Sequence, residues 1–176
     1  MKIGLCGTMS VGKTTLVNAL KERPEFKDYM FRTERSKELM AQGIPLNTDS
    51  TLKGQTVFLA ERASELMVEN IITDRTVIDV MAFARASKSM DIIDKQEFID
   101  YAKRFIKEYD YIFYVSPEGV EIEDNGIRET DAEYRDLIDF IIKNIINNNK
   151  FRIKNYNVLK GSTEERIEQM LEALSL

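Results

Sequence analysis

Several residue types that carry common protein chemistry are absent or scarce in this sequence. None of its 176 residues is histidine, which removes the commonest general base and the commonest transition-metal ligand. Cys6 is the single cysteine, so no internal disulfide can form, and its position in a short apolar run indicates a buried, unreactive thiol. Acid–base chemistry must therefore depend on Asp, Glu or Lys side chains.

The sequence also lacks the marks of a membrane protein and of a protein that binds long nucleic acids. No apolar stretch approaches the roughly 20 residues that a membrane span needs. We therefore expect a cytoplasmic protein, in the host cytoplasm if the source is viral. The formal net charge of −5 disfavours a nucleic-acid backbone as partner and favours a small anionic ligand.

Length and composition are those of an ordinary globular protein. Hydrophobic residues make up 43% of the chain and charged residues 31%, which is far from the composition of disordered segments. A chain of this length can bury one sizeable core but is short for two. We expect a single domain over residues 1–176.

Short apolar runs alternate with amphipathic segments along the chain, which predicts an α/β fold around a parallel sheet. The predicted strands are Lys2 to Cys6, Tyr29 to Thr33, Asn70 to Thr73, Tyr111 to Ser116 and Asn157 to Leu159. Capping-box patterns at Thr130 and Ser162 precede two helices, and a third apolar stripe runs from Phe98 to Tyr109. Residues 43–54 and 117–130 are the predicted loops, both suited to cover a site.

The most specific motif lies between the first strand and the first helix. Residues 7–14, GTMSVGKT, match G-x-x-x-x-G-K-[ST] in full. Glycines let the backbone amides turn toward phosphate oxygens, and the helix N-terminus adds its positive end. Lys13 is expected to contact the β- and γ-phosphates, and Thr14 to ligate Mg²⁺. The predicted nucleotide-binding residues of this segment are Gly7, Thr8, Ser10, Val11, Gly12, Lys13, Thr14 and Thr15.

A phosphate loop alone does not distinguish switches, motors and kinases. A GTPase would show an Asn-Lys-x-Asp motif after a late strand, and this sequence has none. A ring ATPase would have a hydrophobic strand ending in Asp-Glu and a further helical domain, whereas here the strand ends in Asp74-Arg75. Ligands of doubly wound sheets bind at the carboxyl ends of strands, so both charges are placed for chemistry.

Asp74-Arg75 followed by Thr76-Val77-Ile78-Asp79 resembles the nucleoside and nucleotide kinases, in which Asp-Arg or Glu-Arg ends a strand and an acidic residue follows one turn later. The resemblance implies that Asp74 holds the magnesium shell or takes the acceptor's proton. It also implies that Arg75 binds the acceptor near its attacking oxygen, with Asp79 beside it.

Residues 34–39 and 123–128 are similar to those of the P-loop kinase family typified by the nicotinamide riboside kinase domain, which has many small phage members. The family implies a three-layer P-loop fold, like that of nucleoside monophosphate kinases, with strand order 2-3-1-4-5 and a lid at about residues 117–130. Its members carry Glu-x-x-Arg after the second strand, whereas here Arg35 directly follows Glu34. Both residues are predicted to bind the acceptor, and which arginine faces it stays open.

The resemblance also assigns residues near the C-terminus. Arg128 would swing with the lid onto the transferring phosphate and the nucleotide, and Arg135 would contact the substrate. Gly161 and Ser162, in the loop before the last helix, would lie against the nucleotide base.

Together these features predict transfer of the γ-phosphoryl group of ATP, with Mg²⁺, to a small nucleoside, a nucleotide such as a deoxynucleoside monophosphate, or a ribosyl metabolite. Lys13, Asp74 and Arg128 are the predicted catalytic residues, with either Asp74 or Glu34 as the base. Two alternatives stay open: a nucleotide-dependent regulatory or binding protein, and a kinase acting on a nucleic-acid acceptor. The acceptor, the choice between ATP and GTP, and a possible homodimer are not determined by the sequence.

Overall fold

The computed structural model describes residues 1–33, 35–119 and 132–176. The strands are β1 (Lys2–Cys6), β2 (Met30–Arg32), β3 (Ile71–Asp74), β4 (Tyr111–Val115) and β5 (Tyr156–Leu159). The α-helices are α1 (Lys13–Lys21), α2 (Ser36–Ala41), α3 (Leu52–Glu65), α4 (Val77–Ala86), α5 (Ile92–Ala102), α6 (Ala132–Asn148) and α7 (Thr163–Leu174). Short 3₁₀ segments lie at Pro24–Phe26, Asn47–Asp49, Lys103–Glu108 and Lys150–Arg152.

The strands form one parallel sheet in the order β2-β3-β1-β4-β5. β1 lies at the centre, where Leu5 is opposite Asp74 of β3 and Cys6 is opposite Tyr114 of β4. Each predicted strand is present, with ends within two residues of the prediction, and the strand order that the resemblance implied is confirmed. Because the strands are parallel, the segments that follow β1, β3 and β4 meet at one edge of the sheet.

β1 divides the core in two because its side chains alternate between the faces of the sheet. Ile3 and Leu5 pack with residues of α1 and α7 on one face. Cys6 packs with residues of α4 and α6 on the other face, where burial raises the pKa of its thiol well above the usual value. A Cβ at Gly4 would lie 2.4 Å from Thr76 Cγ2, so α4 approaches the sheet closely there. The three-layer arrangement is confirmed.

The predicted helices of the C-terminal third are present. At the start of α7, Ser162 Oγ accepts from the Glu165 amide at 3.3 Å, and Glu165 Oε2 accepts from the Ser162 amide at 2.7 Å. The corresponding box at Thr130 lies outside the described residues. The third stripe is divided, because α5 ends at Ala102 and a 3₁₀ segment continues to Glu108. Within the described ranges, no helix is long and apolar enough to cross a membrane.

The loop prediction for residues 43–54 is wrong at its C-terminal end. A 3₁₀ turn occupies Asn47–Asp49, and α3 begins at Leu52. Thr51 caps α3, since its Oγ1 accepts from the amide of Gly54 at 3.2 Å. Of the predicted lid, only residues 117–119 belong to the part of the chain that the structure describes.

Candidate active site

The phosphate loop joins β1 to α1 through a backbone that favours small residues. Gly7, Ser10 and Gly12 have positive φ angles of 152°, 56° and 82°. A Cβ at Gly7 would lie only 2.7 Å from the carbonyl oxygen of Val115, so the neighbouring strand also requires glycine at this position. α1 begins directly after Gly12, which places free helix amides at the end of the loop. This arrangement suits an anionic phosphate.

The side chain of Lys13 lies inside the loop, only 5% exposed. Its Nζ donates to the carbonyl oxygens of Gly7, at 2.7 Å, and Thr8, at 2.6 Å. Burial and the nearby Arg75 guanidinium lower the pKa of Lys13 to about 8, although two neighbouring aspartates oppose the shift. An ammonium has three donors, so one remains for a phosphate oxygen.

Thr14 and Asp74 form the second part of the site. Thr14 Oγ1 donates to Asp74 Oδ2 at 2.5 Å, and Asp74 is 1% exposed at the end of β3. Hydroxyl and carboxylate oxygens are ligands that Mg²⁺ prefers. The described residues contain no cluster of three or more Cys, Asp or Glu side chains able to hold a metal. A site with only two protein ligands is compatible with Mg²⁺, because this ion usually keeps several waters and binds substrate phosphates.

Asp79 connects the phosphate loop to the start of α4. Its Oδ1 accepts from the amide of Gly7 at 3.1 Å, and its Oδ2 accepts from the amide of Thr76 at 2.7 Å. The Arg75 guanidinium lies 3.7 Å from the same carboxylate. Asp79 is fully buried, so these donors replace the water that its charge would otherwise require. The predicted substrate residue therefore also fixes the local backbone.

Arg75 follows β3 in an unusual conformation. Its φ is 89°, which is uncommon for a residue other than glycine, and its amide donates to the carbonyl of Leu5 at 2.9 Å. The guanidinium lies 4.9 Å from the centre of the Phe83 ring. Strained residues of this kind cluster at functional sites, so the conformation supports a role for Arg75 in binding.

A cleft opens between α3, α4 and the segment before α3. It contains about 420 Å³ of empty space, part of which is open to solvent. Its walls combine aromatic and aliphatic side chains with a few polar groups, as ligand sites usually do. The lining residues are Ser36, Leu46, Asn47, Gln55, Phe58, Arg75, Asp79, Val80 and Phe83.

The structure describes some of the predicted acceptor residues and not others. Arg75 and Asp79 line the cleft. Arg35 does not, because its half-exposed guanidinium binds Glu38 at 2.5 Å and Glu61 at 3.0 Å. Its role in acceptor binding stays a prediction. Glu34 and Arg128 lie outside the described residues.

The remaining predicted residues lie in the phosphate loop, on α1 and α6, and in the loop after β5. Thr8 is fully buried, and its Oγ1 donates to the carbonyl of Arg135 at 2.9 Å. Arg135 is itself buried on α6 rather than solvent-facing. Thr15 is exposed in the first turn of α1. The loop after β5 contains Gly161, with φ of 87°, and the helix cap Ser162. Contact of this loop with a nucleotide base stays a prediction.

Sequence reasoning missed Gln55, Arg62 and Arg166, which are buried polar residues next to the site. Arg62 donates to the carbonyl of Asp74 at 3.2 Å, and Arg166 donates to the carbonyl of Val11 at 2.7 Å. Polar residues at buried helix positions break the hydrophobic stripe by which helices are found. The available signal was their spacing of three or four residues from buried apolar residues, as in Gln55, Leu59 and Arg62.

Solved structures share the fold at low sequence identity. Deoxyadenosine kinase from M. mycoides with its products dCMP and dCDP has a TM-score of 0.70 at 19% identity, with 99% of each chain covered. The same enzyme with dATP has a TM-score of 0.69 at 19% identity, with both chains covered in full. The NadR protein in complex with NR has a TM-score of 0.74 at 16% identity, with 98% of this chain and 50% of NadR covered. At such identities the likeness shows the fold alone.

At the sequence level, curated proteins contain no match to this chain. The family described as AAA domain matches residues 2–166, which is nearly the whole chain. The strand order is the one that the resemblance to the kinase family implied, and deoxyadenosine kinase shares the fold. The chain therefore belongs to this AAA domain family, and its fold is that of the P-loop nucleoside kinases.

Proposed function

We propose that the protein transfers the γ-phosphoryl group of ATP to a small nucleoside, nucleotide or ribosyl metabolite. The observation that carries the proposal is the position of Asp79. This single carboxylate accepts from the amide of Gly7 in the phosphate loop and also lines the cleft beside α3 and α4. An acceptor in the cleft would therefore lie next to the phosphates, as transfer between them requires.

The cleft has the chemistry of a nucleoside site. Phe58 and Phe83 offer aromatic surface to a base. Gln55 is 3% exposed and lines the cleft. Because buried amides are normally hydrogen-bonded, the donor and acceptor of Gln55 suit the polar edge of a base. Arg75 adds a positive charge that favours an acceptor already carrying a phosphate.

Each part of the phosphate site has a task in this reaction. The loop amides and Lys13 bind the β- and γ-phosphates, while Thr14 and Asp74 would hold Mg²⁺. When bound, the ion would supply positive charge that offsets the negative charge of the transferring group. Asp74 or Glu34 would orient the acceptor hydroxyl and take its proton. Arg128 would add positive charge when the predicted lid closes.

The neighbouring structures agree with this class of substrate. Deoxyadenosine kinase is bound to dCMP and dCDP, to dCTP or to dATP in these structures, and NadR is bound to NR or to NAD and AMP-PNP. These ligands span nucleosides, nucleotides and ribosyl compounds. We propose an acceptor from these three classes for the present chain.

The AAA domain family favours a second candidate, a regulatory protein that binds and slowly hydrolyses a nucleotide. The two candidates differ in what happens to the γ-phosphate. A kinase passes it to an acceptor, whereas the regulatory protein passes it to water.

A phosphate-transfer screen tests the proposal. γ-Labelled ATP and Mg²⁺ would be offered with nucleosides, nucleoside monophosphates and nicotinamide riboside, each with wild-type protein and with Lys13→Met. We expect label in at least one acceptor with wild-type protein and a loss of at least about 10²-fold with the variant. Slow release of inorganic phosphate with no labelled acceptor would instead support the regulatory candidate.

A further inference from the structure

Arg166 of α7 lies behind the phosphate loop, far from it in sequence. Only 3% of the residue is exposed. One terminal nitrogen donates to the carbonyl oxygen of Val11 at 2.7 Å, and the other lies 3.4 Å from the carbonyl oxygen of Ser116. Val11 belongs to the phosphate loop, and Ser116 immediately precedes the segment predicted as a lid. One guanidinium therefore joins the phosphate loop to the end of β4.

This guanidinium has no carboxylate partner among the described residues. Glu164, two positions before it, binds Arg23, and Glu165 accepts from the amide of Ser162. Burial lowers the pKa of Arg166, and no neighbouring carboxylate raises it. An arginine nevertheless stays protonated in proteins. A buried positive charge therefore lies behind the phosphate loop, and no carboxylate among the described residues pairs with it.

A buried, unpaired charge is costly and usually has a partner. Two carbonyl oxygens satisfy part of its hydrogen-bonding capacity, whereas Nε has no partner. The charge lies close to the start of α1, since a Cβ placed on Gly12 would be 3.2 Å from the Arg166 Nη1 atom. The positive end of α1 is directed to the same place. A polyanion held by the loop would compensate both.

We propose that Arg166 is a positioning residue for the nucleoside triphosphate, which holds the loop at Val11 and the end of β4 at Ser116 and supplies positive charge behind the phosphates. The proposal rests on the proposed nucleotide site but needs no assumption about the acceptor. We expect Arg166 to affect nucleotide affinity without contacting the acceptor cleft.

The alternative is that Arg166 only ties α7 to the sheet. Arg166→Met would then lower stability, because its side chain donates no hydrogen bond and leaves the carbonyl oxygens of Val11 and Ser116 without this donor. The two roles therefore differ in what Arg166→Met changes. A tie would affect the unfolding temperature, while a positioning residue would affect nucleotide binding in a protein that is still folded.

Calorimetric titration with ATP and Mg²⁺ tests the proposal on wild-type protein, Arg166→Met and Arg166→Lys. We expect Kd to rise at least about tenfold in Arg166→Met, which is about 1.4 kcal/mol, with Arg166→Lys between the two because it keeps the charge. The matched control is Arg23→Met, which also removes an arginine bonded to α7 but lies on the surface. Its Kd should change by less than about twofold.

Wild-type affinity for Arg166→Met, or equal losses in the Met and Lys variants, would overturn the charge role of Arg166. Thermal unfolding without nucleotide checks that the variants are folded, and the stabilisation by ATP should shrink in Arg166→Met. If wild-type protein itself binds no nucleoside triphosphate, the proposed function fails. If it binds ATP but transfers no phosphate, the kinase proposal fails while the Arg166 test is still decided by Kd.

Discussion

Thr14 Oγ1 donates a hydrogen bond to Asp74 Oδ2 at 2.5 Å, although the two residues are 60 positions apart in the chain. They meet because β1 and β3 are neighbouring parallel strands, so the segments that follow them share one edge of the sheet. Arg62 of α3 donates to the carbonyl of Asp74 and helps to hold the strand end. The pair presents two oxygen atoms suited to Mg²⁺ beside the phosphate loop.

Asp74→Asn should lower turnover by at least about 10²-fold, because the amide cannot supply the negative oxygen that Mg²⁺ prefers. ATP affinity measured with Mg²⁺ should fall, whereas affinity measured with EDTA should stay near that of wild type. Thr14→Ser, which keeps the hydroxyl, is the control and should retain activity. If Mg²⁺ increases ATP affinity as much in Asp74→Asn as in wild type, Asp74 does not hold the metal.

Arg75→Ala should raise the acceptor KM by about tenfold or more and change the Kd for ATP by less than about threefold. The guanidinium lines the cleft and lies against the Phe83 ring. Arg85→Ala, at the exposed end of α4, is the matched control and should behave like wild type. If ATP affinity drops as much as acceptor affinity, Arg75 belongs to the triphosphate site.

Arg128→Ala separates an enzyme from a binding protein. Arg128 follows Gly126 by two positions in the predicted lid, and an arginine that acts on the transition state affects turnover more than ground-state affinity. We expect turnover to fall by at least about 10²-fold, while the Kd for ATP changes by less than about threefold. Steady-state kinetics and calorimetry distinguish an enzyme from a binding protein. Equal losses in rate and affinity would count against a lid mechanism.

Glu65→Gln should change how stability depends on pH. Burial raises the pKa of Glu65 to about 7, despite its ion pair with Arg62 at 2.8 Å. A carboxyl with a raised folded-state pKa stabilises the fold at low pH, and this contribution is lost as the pH rises toward 7. Relative to Glu65→Gln, the unfolding free energy of wild type should fall by about 2 kcal/mol between pH 5 and 7 and then level off.

Urea unfolding of both proteins at pH 5, 6, 7 and 8 measures this difference. Subtracting the variant curve removes the titration of all other groups that the substitution leaves unperturbed. Parallel curves for the two proteins would show that the ion pair with Arg62 at least offsets the effect of burial on the pKa of Glu65.

The sequence alone determined the phosphate loop and the framework of the sheet. Glycines at positions 7 and 12 are a local requirement of the backbone, and Lys13 and Thr14 follow from the same motif. Buried parallel strands are short apolar runs, so their positions could also be predicted from the sequence. The strand order came from resemblance to known kinases, because periodicity identifies strands but not their neighbours in a sheet.

Tertiary structure decided which polar residues face the site. Arg35 and Arg75 look alike in sequence, each beside an acidic residue at a strand end, yet Arg35 binds two surface glutamates and Arg75 lines the cleft. Gln55 and Arg166 carry no local mark of function, because their importance comes from burial and from partners distant in the chain. Burial makes each unpaired polar group costly, and only the packing of the helices on the sheet determines which groups are buried.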